Sequence, residues 1–570
     1  MKTRTSFIMK IIILISFLST TNLYCQEGSL DLTFNSLTEI SNSTGLFPDY
    51  KPYIYCTLTQ NDGKVIIGGE FTSINGVSTN RIVRLNIDGS FDTTFNVGLG
   101  FTGLFTNDNC KVLKLVQQTD GKIIVGCQYS GKFNNVTKYN LYRLNSDGSL
   151  DSTFSNGSGI NYQMTLITIT PNGPTYVKPA YINSIIVKTD GKILVGGNFE
   201  IVNLTNYKDL VMLNSDGSID TTFNANSIIT NVGNNFTEVK SMTIQNDGKI
   251  ILYLDYYTVS QNTLYPYYSV VNSRYLKRLN SNGSIDNTFL KNNVLFSSNS
   301  STLLAKKINV IKVLSNNKIL IAGDFSVVYG VNKKSIALLN NDGSIDNSFD
   351  SGYGAYYSHT ELGNIVTNGN INSLVLKSDG KIIIGGQFTS FNNVVYNSIA
   401  EISSSGILDT SFNTNQLGIS IDGIINNIEI IQNNKLIVGG SFETYNGISR
   451  KSIARLNICN SSDIIIAYND SFDFQNNQSS IKMNVKRANP VNLDTINGNI
   501  IPLADTNIVQ IPNSLIPIPT VGNISISTNG TMMIETGTSA GVYTIKYKIS
   551  TTGVCPSVSN IATVTVNIIN

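Results

Sequence analysis

The segment Asn-x-Asp-Gly-Ser-x-Asp recurs along this sequence and is its most frequent arrangement of groups able to do chemistry. It stands at Asn86–Asp92, Asn145–Asp151, Asn214–Asp220 and Asn340–Asp346, with an Asn in place of the middle Asp at Asn280–Asp286 and a worn copy ending at Asp409. Closely spaced carboxylates suggest calcium. A calcium loop, however, needs glycine at its sixth position and a distal bidentate glutamate, and neither is present. The spacing suits Asx turns, in which the side chain accepts a backbone N–H two residues on. Asp88, Asp92, Asp147, Asp151, Asp216, Asp220, Asp286, Asp342, Asp346 and Asp409 are therefore read as structural turn residues, with occasional cation binding as the alternative.

Other reactive groups are sparse. His359 is the only histidine, so a Ser-His-Asp or Cys-His device would have to use it. It lies in a Gly- and Tyr-rich insertion, residues 351–363, and is read as a loop residue. Metal sites built on two or three histidines are excluded. There is no phosphate-binding GxxxxGK[ST] segment. No catalytic residue, metal site or cofactor is expected. Ligand contacts are expected instead from tyrosine-rich insertions: Tyr256, Tyr257, Tyr265, Tyr267 and Tyr268 in one, and Tyr353, Tyr356 and Tyr357 in another. A third aromatic group, Phe47, Tyr50, Tyr53 and Tyr55, precedes the first repeat. Tyrosine offers an apolar face and a polar tip, which suits sugars or protein partners. The alternative is that these rings pack their own loops.

The elements that would position these groups are repeats. Asp62-Gly63-Lys64 opens the run VIIGGEF, and related runs follow Lys122, Lys192, Lys249, Lys318, Lys381 and Lys435, making seven copies. The steps between them average about 62 residues. Each run is apolar at nearly every position, as in a strand covered on both faces. The Asp-Gly-Ser segments add a hairpin, since Asx-Gly between apolar residues marks a tight turn. About four strands per repeat are expected. The second half of the unit also occurs alone at the start, Gly28 to Phe34, while the last first-half has no second half after Asn457. A ring accounts for this, with the opening strand completing the last blade and removing exposed edges. The fold class read from the sequence is all-β: a seven-bladed β-propeller over 26–457, closed by the N-terminal strand, plus a small C-terminal β-sandwich over 458–570.

The unit, DGK followed by an apolar GG run, then NG at Asn75-Gly76 and Asn446-Gly447, then RLNxDGSxDxTF, resembles the delta-60 repeat family. The resemblance covers about three-quarters of the chain. It implies an exported bacterial protein and attaches no activity. Tyr253 and Leu254 in repeat four, and Asn317 in repeat five, depart from the pattern. The stretches Asn484 to Asn499 and Gly537 to Tyr547 resemble immunoglobulin-like modules common in surface proteins of Bacteroidetes, with Ser550 near the place where a cysteine often follows the tyrosine strand.

Composition sets the setting. Residues 1–25 read as a signal peptide: Lys2, Arg4 and Lys10 precede an apolar core, Ile11 to Leu18, too short to span a bilayer. Cleavage is expected after Cys25, with lipidation of that cysteine as the lesser alternative. No later stretch is long and apolar enough for a membrane span. Charged residues are 14% and net charge is +2, so no field draws nucleic acid. Five cysteines then remain, read mainly as small core residues, with Cys459 and Cys555 able to pair if they share a domain. The expected protein is a secreted or cell-surface, non-enzymatic binding scaffold for a protein or glycan. The alternative is a propeller hydrolase or lyase acting on polysaccharide, which would need acids and bases from several blades in one pocket.

Overall fold

The computed structural model describes residues 27–35, 39–42, 52–103, 110–128, 131–157, 159–161, 180–225, 235–262, 265–289, 307–359, 365–413, 418–420, 423–432 and 434–458, with further stretches between 465 and 569. The chain divides into two compact units, one of them Glu27–Ser462 and the other containing Asp463–Asn570. Residues 1–25 and the pair Cys459 and Cys555 lie outside the described residues.

The first unit is built from antiparallel meanders. In repeat one, strand Tyr53–Thr59 enters a turn in which the Gln60 N–H bonds the Lys64 carbonyl and the Gly63 N–H bonds the Gln60 carbonyl. Asp62 Oδ1 accepts the Lys64 N–H at 3.1 Å, and Gly63 takes a φ of +81°, which accounts for the Asp-Gly-Lys signature. The second strand, Val65–Glu70, and the third, Ile82–Leu85, are buried throughout. The same three-stranded order recurs from Lys111–Gln117, Tyr181–Val187, Asn235–Ile244, Lys307–Val313, Asn370–Leu376 and Ile424–Ile431. The expected fourth strand shrinks to one bridge per repeat, Leu85 with Phe91 and its equivalents. After that single pair, Asp92 captures the N–H and hydroxyl of Thr94 and bends the chain away.

The glycine pair has two separate jobs. A Cβ on Gly68, Gly196, Gly385 or Gly439 would strike Val112, Val239, Ile425 or Ile54, each on the first strand of another repeat, at 2.5, 2.6, 2.7 and 2.9 Å. The first glycine therefore lets adjacent repeats approach. A Cβ on the second, as at Gly386, would meet the Asn370 carbonyl oxygen of its own repeat at 1.9 Å. That carbonyl lies beside a bulge, where the register shifts between Ile371 and Ser373. Gly386→Ala is expected to cost about 1–3 kcal/mol by overpacking a backbone that cannot yield, read as a lower urea midpoint at unchanged slope. In repeat four the pair is replaced by Tyr253 and Leu254, both fully buried.

Three sets of bonds tie repeat to repeat. Arg84, Arg143 and Arg278 each donate to a turn carbonyl of the next repeat, that of Ser146, Ser215 and Asn341. Arg455 of the last repeat donates in the same way to Ile87 of the first. Backbone bonds run from Asn96 to Asp147 (2.7 Å), Ser155 to Asp216 (2.6 Å) and Asn35 to Asp88 (2.6 Å). Bulge asparagines Asn183, Asn309 and Asn372 donate to Val239, Ile371 and Ile425 carbonyls, and Asn426 donates to Ile54 at 2.9 Å. The opening segment joins the last repeat: Leu30 bridges Leu456, and the Gly28 N–H bonds the Asn457 carbonyl at 2.8 Å. It takes the place there that Phe91 takes beside Leu85.

Cys56, Cys110 and Cys127 are free and buried with Phe101, Phe133 and Tyr142 in one apolar cluster. Burial pushes the Cys56 thiol up to about 12, so it packs as a small apolar group. In the second unit, Gly541–Thr551 pairs antiparallel with Ser559–Ile569, which pairs parallel with Asp470–Gln475. A separate sheet joins Lys482–Asn484, Thr531–Ile534 and Ile524–Ile526. Tyr547, Val564 and Val566 are fully buried there, as the alternation of apolar residues requires.

Candidate binding site

The turn carboxylates each hold groups of the protein itself. Asp88 Oδ1 accepts the N–H and hydroxyl of Ser90 at 2.9 and 2.6 Å, and Asp147, Asp216 and Asp342 treat Ser149, Ser218 and Ser344 alike. Asp92 accepts Lys64 Nζ at 2.9 Å and Arg84 Nε at 2.7 Å. The Arg84 guanidinium lies 4.6 Å over the Phe95 ring, which ties the closing Phe to the same latch, and Arg143, Arg278 and Arg455 cover Phe154, Phe289 and Phe34 likewise. Asp151 and Asp286 repeat the Lys–Arg pairing, while Asp220, Asp346 and Asp409 use Lys192, Lys318 and Lys381. Burial raises the Asp92 carboxyl, but the hydrogen bonds from Thr94, Lys64 and Arg84 outweigh it and hold the group well below the usual range. Among the described residues no group of three or more His, Cys, Asp or Glu is placed to hold a metal ion.

A different set of groups gathers at the other end of the strands. There the residue after the glycine pair ends the second strand and pairs with the residue that opens the first: Tyr53 with Glu70, Lys111 with Gln128, Tyr181 with Asn198, Lys307 with Asp324 and Asn370 with Gln387. In repeat four the equivalent pair is Glu238 with Asp255. Glu238 Oε1 accepts Lys240 Nζ at 2.6 Å and Asn183 Nδ2 at 2.9 Å. Arg274 Nε donates to Asp255 Oδ1 at 3.1 Å. Glu238 and Asp255 are 4% and 5% exposed, so these pairs are largely dry. Burial raises the Asp255 carboxyl above its ordinary value; Lys240 and Arg274 oppose this and Glu238 adds to it.

The rim continues into a cleft of about 270 Å³ between repeats five and six, lined by Lys307, Asp324, Tyr357, Asn368, Asn370 and Gln387. Lys307 sits on a concave surface, wet but crowded. Burial lowers its pKa, Asp324 opposes, and Lys240 and Arg274 lower it further.

Of the tyrosines named from the sequence, all but Tyr353 fall on strands; Tyr353 stands in a turn. Tyr256 and Tyr257 continue the strand Ile250–Asn262, and Tyr265, Tyr267 and Tyr268 stand on Tyr265–Leu279, in one long hairpin. Alternation of residues that pair across a hairpin extends the ladder where a loop was expected. Tyr256 packs edge-on to Tyr275 at 4.9 Å, and the side chains of the other four lie outside the described residues. Tyr356 and Tyr357 stand on Ala355–His359, which pairs with both Ile365–Asn368 and Ser390–Phe391. His359 closes that strand, its side chain outside the described residues. Lys334 Nζ lies 5.3 and 5.0 Å from the Tyr353 and Tyr356 rings, and Tyr353 is 56% exposed. Only Tyr357 of the named set reaches the cleft. Reading for aromatics missed Lys307, Asp324, Asn370 and Gln387. The signal for Asp324 and Gln387 was variation at one fixed place in the motif, the residue after the glycine pair or the two residues in its place: Glu70, Gln128, Asn198, Asp255, Asp324, Gln387 and Ser441; Lys307 and Asn370 open first strands, outside the repeated motif.

A family model described as domain of unknown function (DUF5122) beta-propeller matches residues 60–95, 118–154, 188–223, 265–289, 314–349, 377–412 and 432–457. Each matched segment holds the third strand, each but 265–289 also the second strand, and each but the last the turn that follows. No curated protein matches. Among solved structures, a SusE-like surface located polysaccharide binding protein from Bacteroides thetaiotaomicron aligns at 10% identity and a TM-score of 0.15, over 60% of this chain and 50% of that one. The chain thus spans half the length of that protein, and a match at this TM-score carries no argument.

Proposed function

Because the chain is built of β-propeller repeats, we propose that its first unit is one ring of seven blades, of delta-60 type, closed by the opening strand and serving as a non-enzymatic binding scaffold. Three features support the ring: Arg455 reaches Ile87 and Asn426 reaches Ile54 by the bonds that join sequential repeats elsewhere, and Leu30 bridges Leu456 as Phe91 bridges Leu85 within a repeat. The second unit serves as an immunoglobulin-like spacer, and the signal segment 1–25 sends the protein to the cell surface or the medium. The ligand is a protein or glycan held on the face where the first strands begin. The observation that carries this reading is the polar rim, whose residues differ from blade to blade while the turn Gly, the Asp and the closing Phe of the motif repeat. A varied face on a repeated scaffold is what a specific site requires. A glycan array and a pull-down with the mature chain test it. Ligands found by either must lose binding in Tyr357→Ala combined with Gln387→Ala, and retention of every ligand overturns the reading.

A second reading, hydrolysis or lysis of polysaccharide, is favoured by Asp255, a buried acid of raised pKa on the rim opposite a second carboxylate. Both acids are held in ion pairs, and the pairing of Asp255 with Arg274 offers no proton. Asp255→Asn is therefore expected to leave any saccharide turnover at the background of the wild-type chain, measured by reducing-end release. A turnover that the substitution abolishes would favour the enzyme.

A further inference from the structure

We propose that the cleft between repeats five and six binds a single carboxylate-bearing sugar unit, with Lys307 as its anchor. The inference rests on the binding reading above and names its ligand class.

Three polar groups face this cleft with no hydrogen bond or ion pair among the described residues: the Lys307 ammonium and the side-chain amides of Asn368 and Gln387. Elsewhere on the rim the cations are paired, Lys111 with Glu70, Lys240 with Glu238 and Arg274 with Asp255. Lys307 stands on the strand opposite Asp324, yet no carboxylate of the described residues lies within ion-pair distance of it. Lys240 and Arg274 lie close enough to disfavour its charge. A bound anion would offset that repulsion and favour the charged form. One such cation matches one negative charge.

The remaining lining sets the rest of the ligand. Asn368 and Gln387 each offer a donor pair and an acceptor, and Asp324 adds an acceptor. Vicinal hydroxyls, each both donor and acceptor, match this set. The Tyr357 ring is the one broad apolar surface, suited to the C–H face of a pyranose. A peptide anchor would call for an apolar pocket, which this lining lacks. At about 270 Å³ the cleft falls below the size of sites for drug-sized ligands. It therefore takes one ring of a chain that continues into solvent.

The test is calorimetric titration of the full mature chain with oligogalacturonate, with cellohexaose as neutral control and oligoglutamate as acidic, non-saccharide control. Oligogalacturonate is expected to bind, at least tenfold more weakly to Lys307→Met, with affinity kept by Lys307→Arg and falling as salt rises. Lys307 is exposed, so its substitution should leave the far-ultraviolet dichroism unchanged. Cellohexaose binding equally well, or a Lys307→Met variant that binds oligogalacturonate normally, overturns the acidic-sugar assignment while leaving a binding face intact. Oligoglutamate binding through Lys307 in place of oligogalacturonate overturns the saccharide class. No binding by any probe overturns the assignment, and the array and pull-down then decide separately whether the face binds anything.

Discussion

Arg455→Met is expected to destabilise the repeat unit by about 3–5 kcal/mol, the cost of removing one partner from a buried ion pair. Asp31 is 4% exposed and accepts Arg455 Nε at 2.8 Å and Lys435 Nζ at 3.2 Å. Burial raises its carboxyl, but Thr33, Lys435 and Arg455 together bring it down to about 2. Arg455 also donates to Thr33 Oγ1 at 3.0 Å, covers the Phe34 ring at 4.8 Å and reaches Ile87. One side chain thus joins the opening segment, the last repeat and the first. Arg84→Met removes the same latch inside the array, from Asp92, Phe95 and Ser146. The two variants should lose similar stability in urea. They should differ in hydrogen exchange: Arg455→Met selectively exposes amides of Lys435–Ser441. Equal protection of that strand in both variants would remove the case for closure by residues 27–34.

The second large effect concerns repeat six, where Glu401 stands in place of the latch arginine and Lys377 in place of Gln60 or Gln118. Lys377 Nζ lies 3.0 Å from Glu401 Oε2 and also bonds Glu27 of the opening segment; Asp379 is 3.4 Å away. Lys381 bridges Glu401 and Asp409 at 2.9 and 2.5 Å. Glu401 and Lys377 are 0% and 1% exposed at the side chain. Lys377→Met leaves two acids without their shared cation and is expected to cost about 3–5 kcal/mol. The pH dependence is opposite to that of the turn acids. Burial and then Glu27 raise Glu401 to about 7, against the downward pull of Lys377 and Lys381; its ordinary value is 4.5. The folded state therefore holds this proton more tightly, so stability falls as pH rises through the interval from 4.5 to 7. Asp31, Asp220 and Asp409 lie at about 2, so their contribution is present above pH 3.8 and is lost as pH falls toward 2. Stability should peak near pH 5. Urea midpoints measured from pH 4.5 to 7.5 should decline in the wild type and stay nearly level in Glu401→Gln. A decline of the same slope in Glu401→Gln would assign it to other groups.

The sequence by itself determined the repeat, the turns and the burial of the Lys-led strands. These depend on neighbours within a few residues: Asp62 bonds its own Lys64, Asp88 its own Ser90, and Gly63 supplies its own positive φ. The odd half-repeat at Gly28–Phe34 was legible because composition and phase survive in the linear order. Placing the reactive groups was a different matter. Alternation does not say whether tyrosines end a strand or extend it, so the hairpin around Tyr256 was read as a loop. Only tertiary structure brought Lys307, Asn368 and Gln387 to one cleft, since the first two are 61 residues apart and belong to different repeats. The same holds for Glu27 and Lys377, 350 residues apart in the chain. Local hydrogen bonds are encoded where they form, whereas the environment of a charge depends on which strands lie beside it.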